Sequence, residues 1–148
     1  MIMLKVDYKL NLEKYNDFIP KQIQFASVFF DIETTGLSKN TSEIFIAGLL
    51  YFKDGLYHLN QLFSPSSINE RNLIQEISNV FSTKEYIITY NGNNFDIPFY
   101  LNKCSKYGIY PNLKGKILID LYIYIKKMKL ELNLIIKKCL SANLMIYC

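Results

Sequence analysis

The strongest constraint on the fold is a β-hairpin signal at Asp54-Gly55. An apolar run over Ile44–Phe52 precedes this dipeptide, and Leu56–Phe63, which partly alternates between apolar and polar residues, follows it. Asp-Gly favours the tight turn that joins antiparallel strands because both of its central residues adopt positive φ angles. A second buried strand is indicated by the short apolar run Ser27–Ile32. Together the three segments predict a three-stranded antiparallel meander.

Helical and strand patterns alternate after the meander. A mixed sheet flanked by helices is the expected result, which places the chain in the α/β class. Residues 1–26 are expected to form an irregular lead-in, with a short capped turn near Asn11–Asp17, so that the domain spans 27–148. The predicted later elements are a helix from Pro65-Ser66-Ser67, a strand at Tyr86–Tyr90, a helix at Phe95–Tyr107 ended by Gly108, a strand at Ile117–Asp120, and one or two helices from Leu121.

Length and composition exclude several classes of protein. A chain of 148 residues that is 50% hydrophobic is expected to form one folded domain. No signal-peptide pattern or apolar stretch of membrane-spanning length is evident, so a cytoplasmic protein without membrane contact is expected. The three cysteines form no closely spaced pair, which argues against a zinc site. A dehydrogenase-type dinucleotide site is set aside because no G-x-G-x-x-G occurs.

The first candidate functional feature is a pair of acids at the end of a buried strand, Asp31 and Glu33. Side chains alternate along a strand, so the two carboxylates are expected on the same side. Two neighbouring carboxylates are costly unless a cation neutralises them, and a hard divalent cation with oxygen ligands is the natural partner. An ordinary acidic turn after a strand is the structural alternative, and the apolar strand that runs into Asp31 makes it the weaker interpretation.

The second candidate feature is the stretch from Tyr90 to Pro98, between a buried strand and a helix. In open α/β sheets the ligand lies in the crevice at such strand ends. Asp96 is therefore a candidate third carboxylate, and Asn91 a candidate donor to a phosphate or sugar. Support of the helix N-terminus by Asn94 or Asp96 is the alternative, and it would be preferred if this stretch stood alone.

The two features together resemble a known family. Phe30-Asp31-Ile32-Glu33-Thr34-Thr35-Gly36 resembles the first motif of the DEDD (DnaQ-like) exonuclease superfamily, whose fold is ribonuclease-H-like. Tyr90-Asn91-Gly92-Asn93-Asn94-Phe95-Asp96 resembles the second motif, with the spacing of YprB-like predicted exonucleases and of family-B polymerase proofreading domains. The resemblance covers roughly residues 25–130. The pair of motifs is specific, whereas D-x-E alone would be weak.

The resemblance implies a 3′–5′ exonuclease that uses two Mg²⁺ or Mn²⁺ ions to hydrolyse phosphodiester bonds. The implied substrate is the 3′ end of single-stranded DNA or RNA, and no obligate protein partner is evident. Asp31, Glu33 and Asp96 match the catalytic, metal-binding carboxylates. The residues implied to contact the substrate are Thr34, Thr35, Gly36, Leu37, Asn91, Asn94 and Phe95.

One part of the family pattern has no counterpart in the chain. The family requires a third motif, a Tyr or His followed by an Asp, whereas residues 134–148 contain no acid. Truncation before this motif, which would leave the domain incomplete at its C-terminus, is the favoured explanation. The alternative is that Asp120 or Glu131 completes the site. The competing function is an impaired or inactive nucleic-acid-binding remnant of the same fold.

Aromatic and basic residues admit two interpretations. The chain contains 12 tyrosines, and packing at the edge of the core with wet hydroxyls is expected for most of them. Base stacking on exposed rings is the alternative. Likewise, the lysines from Lys126 to Lys138 fit a solvated helical face better than phosphate contacts. A net charge of +4 is compatible with a nucleic-acid partner without requiring one.

Overall fold

A computed structural model describes residues 3–11 and 20–141 of the chain. Within these residues one six-stranded sheet has the order β1-β4-β3-β2-β5-β6. Its strands are β1 (Leu4–Leu10), β2 (Ser27–Thr34), β3 (Ile44–Lys53), β4 (Leu56–Phe63), β5 (Tyr86–Thr89) and β6 (Ile117–Asp120). The helices are α1 (Lys21–Ala26), α2 (Ser67–Ser82), α3 (Asp96–Tyr107) and α4 (Leu121–Ser141).

The predicted meander is confirmed. Strand β3 pairs antiparallel with β2 on one side and with β4 on the other. The β3–β4 turn has φ angles of 51° at Asp54 and 83° at Gly55, both in the left-handed region that a tight hairpin turn requires. The Asp-Gly dipeptide therefore fixes this part of the topology from local chemistry alone.

The mixed character of the sheet is also confirmed. Strand β5 runs parallel to β2, and β6 runs parallel to β5. The pairing of β5 with β2 covers only Ser27–Phe29 of β2, so the later part of β2 extends beyond the end of β5. The carboxyl ends of the three parallel strands consequently meet at one edge of the sheet, which is where ligands bind in open α/β folds.

The first part of the chain differs from the sequence prediction. Residues 1–26 were expected to be irregular, but Leu4–Leu10 forms an edge strand that pairs antiparallel with β4, and Lys21–Ala26 is helical. The alternation of Leu4, Val6 and Tyr8 with polar residues is a strand pattern, but these apolar side chains are exposed. Of the turn expected near Asn11–Asp17, residues 12–17 lie outside the described residues.

The hydrophobic core lies between the sheet and the two central helices. The ring of Phe30 on β2 packs edge-on against Phe81 of α2 and Tyr100 of α3. Helix α2 adds Leu73 and Ile77, both fully buried. Burying side chains of this size stabilises a fold by about 1.5–3 kcal/mol each. The core therefore fixes the orientation of β2 and of α3, whose first residue is Asp96.

The C-terminal end of α3 is as predicted and its first residue, Asp96, is one later than predicted, while the one or two helices predicted from Leu121 form a single helix α4. Helix α3 ends at Gly108, which has a φ of 64°, as a glycine C-cap requires. Helix α4 is a single helix, and its side chains from Leu121 to Leu134 are exposed. Among the described residues, no helix combines the length and apolar character needed to cross a bilayer.

Candidate active site

The last residues of β2 include the first two candidate carboxylates. Phe30 and Ile32 are buried under the helices, whereas Asp31 and Glu33 between and after them are exposed. This alternation is the one that the strand periodicity predicts, so the two acids emerge on one face of the sheet. They sit where β2 has already extended beyond β5.

The third carboxylate reaches the same place from another part of the chain. Asp96 begins α3 and is only 5% exposed. Its Oδ1 accepts a hydrogen bond from the backbone N–H of Ile32 at 3.1 Å. Ile32 lies between Asp31 and Glu33 in sequence, so the Asp96 carboxyl group is held against the segment that carries the other two acids.

Burial and like charge both act on Asp96. Burial raises the pKa of the Asp96 carboxyl, and the nearby charges of Asp31 and Asp120 raise that pKa further. The hydrogen bond from the Ile32 N–H opposes these effects because it stabilises the ionised form. In the described part of the chain, the ion pairs involve other acids. The cluster therefore carries negative charge that no described lysine or arginine side chain pairs with.

The donor set fits a hard divalent cation by its chemistry, because it consists of neighbouring carboxylate oxygens that are not paired with a described lysine or arginine. Its geometry is less complete. Within 3–11 and 20–141, no three acidic, histidine or cysteine side chains form a group ready to hold a metal ion. One oxygen of Asp96 is directed at the Ile32 N–H. Asp31 and Glu33 are exposed, so these are the carboxylates open to a ligand from solvent.

The loop after Glu33 is closed by its own hydrogen bonds. The backbone N–H of Thr35 donates to the Glu43 carbonyl at 2.9 Å, and the Thr35 Oγ1 accepts from the Glu43 N–H at 2.9 Å. Thr34 donates through its hydroxyl to the Gly36 carbonyl at 2.8 Å. Leu37 lies at the loop tip and is 89% exposed. Of the predicted substrate-contacting residues in this loop, Leu37 is the one that projects freely.

The far end of this loop is anchored by a buried acid that the sequence interpretation did not use. Glu70 of α2 is fully buried and accepts a hydrogen bond from the Ile44 N–H at 2.8 Å. The same carboxylate accepts from Lys106 at 3.1 Å and from the Tyr107 hydroxyl, and Lys103 lies 4.0 Å away. Glu70 therefore joins the start of β3 to α3, and so fixes the loop relative to Asp96.

The second loop, residues 91–95, is held by Asp120. This residue ends β6 and is 2% exposed. Its carboxylate accepts hydrogen bonds from the N–H groups of Asn91 at 2.7 Å, Asn93 at 3.1 Å and Tyr122 at 3.1 Å. Asn91 has a φ of 60°, and its Oδ1 accepts from the Asn94 amide at 3.0 Å. Asp120 is thus occupied in shaping the loop that leads to Asp96.

Asp120 and Glu131 were the two candidates for completing the set of carboxylates. The Asp120 oxygens already accept three backbone N–H groups, which satisfies most of their acceptor capacity. Glu131 lies on exposed α4, in a groove with Ile125, Met128 and Leu132. The sequence indicated Asp120 as an acid at the end of a short apolar strand, but its role as the anchor of the second loop depends on these long-range hydrogen bonds.

A close backbone approach shapes the same loop. A Cβ atom at Gly92 would lie 2.5 Å from the Thr89 Oγ1 and 2.7 Å from its Cγ2. Thr89 is 4% exposed, and its hydroxyl has no hydrogen-bond partner among the described residues. The glycine is therefore required by space, because only a residue without a side chain lets the loop pass over the end of β5.

Phe95, the residue before Asp96, packs against Phe99 with ring centroids 5.4 Å apart.

In the absence of a bound metal ion, Asp96→Asn is expected to stabilise the protein. Because burial raises the pKa of Asp96 in the folded state, the charged carboxylate costs stability at neutral pH, and this cost disappears as the pH falls towards the unfolded pKa near 4. The asparagine oxygen still accepts from Ile32. Thermal melts in EDTA should show a Tm raised by a few degrees at about pH 7 and a shrinking gain towards about pH 4. Exposed Asp54→Asn serves as the control, and a gain independent of pH would contradict the assignment.

The chain is similar to known proteins in both sequence and fold. A model of the RNase H superfamily matches residues 28–144. The PolC-type DNA polymerase III of Ureaplasma parvum is 27% identical in an alignment 139 residues long that covers 73% of this chain. This chain corresponds to 10% of that polymerase. The family match therefore covers both motifs, while the chain spans only a small part of the larger relative.

Solved structures show the same fold. The family B DNA polymerase of the archaeon Pyrobaculum calidifontis matches with a TM-score of 0.54 and 18% identity, over 65% of this chain and 15% of that one. E. coli exonuclease I in complex with a dA16 oligonucleotide matches with a TM-score of 0.53 and 16% identity, over 64% of this chain and 28% of that one. At such identities the likeness concerns the fold alone.

Proposed function

Because the chain belongs to the RNase H superfamily, we propose that it is a DnaQ-like, metal-dependent 3′–5′ exonuclease acting on single-stranded nucleic-acid ends. One observation carries the proposal. The Asp96 carboxyl group is bonded to the backbone between Asp31 and Glu33 at 3.1 Å, which brings acids from two distant segments to one edge of the sheet. The neighbour crystallised with a single-stranded oligonucleotide supports the class of substrate.

The proposed ligands for Mg²⁺ or Mn²⁺ are Asp31, Glu33 and Asp96. When bound, such ions stabilise the attacking and leaving oxygens of a phosphoryl transfer and lower the pKa of bound water. Asp31 and Glu33 are exposed and would meet ions from solvent, while Asp96 is buried and would fix their position. The raised pKa of Asp96 is consistent with a group that awaits a positive partner.

The residues around the carboxylates are proposed to orient the strand end. Leu37, exposed at the tip of the first loop, is proposed to wedge against the terminal base. The side-chain amide of Asn94 donates one hydrogen bond to the Asn91 Oδ1 in the second loop. Both N–H donors of the Asn91 amide and the second N–H of the Asn94 amide remain for a sugar or phosphate oxygen. The threonines and Gly36 shape the first loop, and Phe95 seats the start of α3.

The proposal is tested with a short single strand labelled at its 5′ end. In Mg²⁺ or Mn²⁺ the expected result is a ladder of products shortened stepwise from the 3′ end, with free mononucleotides released and with no product in EDTA. The same strand with a blocked 3′ terminus should resist. Internal cuts, shortening from the 5′ end, or absence of any divalent-dependent product would contradict the proposal.

A catalytically impaired nucleic-acid-binding domain is the second candidate. It is favoured by one observation, which is that the described residues contain no group of three ligands ready to hold a metal ion. The ladder experiment separates the two functions when the same strand is also used in a binding assay. Binding of the strand without any divalent-dependent shortening would support this second candidate.

A further inference from the structure

Two exposed tyrosine rings form an edge-to-face pair at the edge of the sheet that carries the candidate site. Tyr90 follows β5 and is 61% exposed, and Tyr122 lies in the first turn of α4 and is 40% exposed. Their ring centroids are 5.7 Å apart with an interplanar angle of 75°. Tyr100, in contrast, is fully buried in the core. The exposed pair therefore departs from the packing role expected for most tyrosines.

A single buried carboxylate fixes both members of the pair. Asp120 accepts hydrogen bonds from the N–H of Asn91, the residue after Tyr90, and from the N–H of Tyr122 itself. Since Asp120 is 2% exposed, these charge-assisted bonds are shielded from water and are strong. The backbone that carries each ring is consequently fixed, and the two rings contact each other, so less conformational freedom is lost when a ligand binds.

The pair also lies at the edge of the sheet that carries the acids. The strands β2, β5 and β6 are parallel neighbours, so their carboxyl ends share one edge. Asp31 and Glu33 end the first strand, Tyr90 follows the second, and Tyr122 follows the third. The loop that begins at Asn91 leads directly to Asp96. A single-stranded nucleic acid bound with its end at the acids would therefore meet the rings along the same edge of the sheet.

Beyond the two rings, positively charged lysine side chains lie along α4. Tyr122, Lys126 and Lys129 are spaced i, i+4 and i+7, which places them on one stripe of the helix. All three are exposed, and Lys126 lies about 6 Å beyond Tyr122 along the helix axis. Aromatic rings followed by spaced cations are the combination that binds single-stranded nucleic acid, with bases on the rings and phosphates on the lysines.

We propose that the Tyr90–Tyr122 pair is a stacking platform for the bases of a single strand, and that Lys126 and Lys129 hold the phosphates of the same strand along α4. The direction in which the nucleic acid lies on this surface rests on the proposed function. The binding of bases and phosphates to the surface does not depend on it. It assigns the nucleotides behind the reacting end to an aromatic and basic surface formed by Tyr90 after β5 and by one stripe of α4.

The test measures binding of a fluorescein-labelled oligothymidylate by anisotropy in EDTA, so that hydrolysis does not consume the strand. Tyr90→Ala and Tyr122→Ala should each weaken binding about tenfold, the effect of losing one base–ring stack. Tyr90→Phe, which keeps the ring, should restore it. Tyr110→Ala is the matched control, because Tyr110 is 94% exposed but lies beyond the opposite end of α3.

An abasic strand of the same length separates base contacts from phosphate contacts. The platform predicts that the wild-type protein prefers the intact strand and that both alanine variants reduce this preference. Lys126→Ala should weaken binding of both strands and reduce the slope of log affinity against log salt by about one. An oligouridylate of equal length shows whether RNA is held in the same way.

Failure of this inference can be distinguished from failure of the proposed exonuclease. Binding that depends on the rings, without divalent-dependent shortening, would support the platform and contradict the enzyme. Shortening whose KM is unchanged in Tyr90→Ala and Tyr122→Ala would support the enzyme and overturn the platform. Equal binding by these variants and by Tyr110→Ala, no preference over the abasic strand, or no binding by the wild type would also overturn it.

Discussion

Asp31→Asn is expected to reduce divalent-dependent nucleotide release by more than about a hundredfold. Changing residues that merely support a metal ligand typically costs ten- to a hundredfold, and Asp31 is proposed as a ligand itself. The amide keeps the size of the side chain but removes the negative charge that the cation requires. Glu33→Gln is expected to act in the same direction. Both rates are measured on the labelled single strand under saturating Mg²⁺ or Mn²⁺.

The fold should not change in Asp31→Asn, because Asp31 is exposed at the end of β2. Thermal melts of the variant and of the wild type should therefore agree within a few degrees in EDTA. Asp54→Asn is a matched control, since Asp54 is exposed in the β3–β4 turn and asparagine also adopts its positive φ. Release by Asp31→Asn at the rate of Asp54→Asn would remove Asp31 from the site.

Gly92→Ala is expected to destabilise the protein by about 3 kcal/mol, at the upper end of the usual cost of overpacking. The added Cβ would lie 2.5 Å from the Thr89 Oγ1, and Thr89 is buried and stiff at χ1 because it is β-branched. The loop would have to lift from β5, which would also move Asn91 and Asp96. A Tm lowered by roughly ten degrees is expected in thermal melts.

Gly48→Ala provides the comparison for this prediction. Gly48 lies in β3 opposite Asp31, and a Cβ there would meet only the Asp31 carbonyl oxygen at 4.0 Å. This is ordinary contact, so alanine should be neutral or stabilising in the strand. Equal Tm values for Gly92→Ala and Gly48→Ala would show that the close approach of the loop to β5 is not required.

Much of the fold follows from short-range patterns in the sequence. The hairpin at Asp54-Gly55 and the end of α3 at Gly108 are set by backbone conformations that only a few residue types adopt, and both are confirmed. The strand β1 was missed because an alternating pattern indicates a strand only when a buried face is expected, and its apolar side chains are exposed. Edge strands of this kind are defined by their partner, here β4, rather than by burial.

The candidate site could be predicted only as far as it depends on local sequence patterns. The common face of Asp31 and Glu33 follows from strand periodicity, and Asp96 follows the end of a second strand. The bond of Asp96 to the Ile32 N–H depends on β5 pairing with β2 only up to Phe29, which no local pattern encodes. The loop anchors Asp120 and Glu70 are likewise long-range contacts between residues 26–29 positions apart, and a single sequence carries little signal for them.

The most direct test of the central claim is calorimetric titration of Mn²⁺ into four proteins: the wild type, Asp31→Asn, Glu33→Gln and Asp96→Asn. If carboxylates from β2 and α3 share divalent cations, the wild type should bind Mn²⁺ and each substitution should weaken that binding at least about tenfold, the smallest effect expected for groups close to a metal. Equal Mn²⁺ binding by all four proteins, or none by the wild type, would contradict a shared metal site at this edge of the sheet.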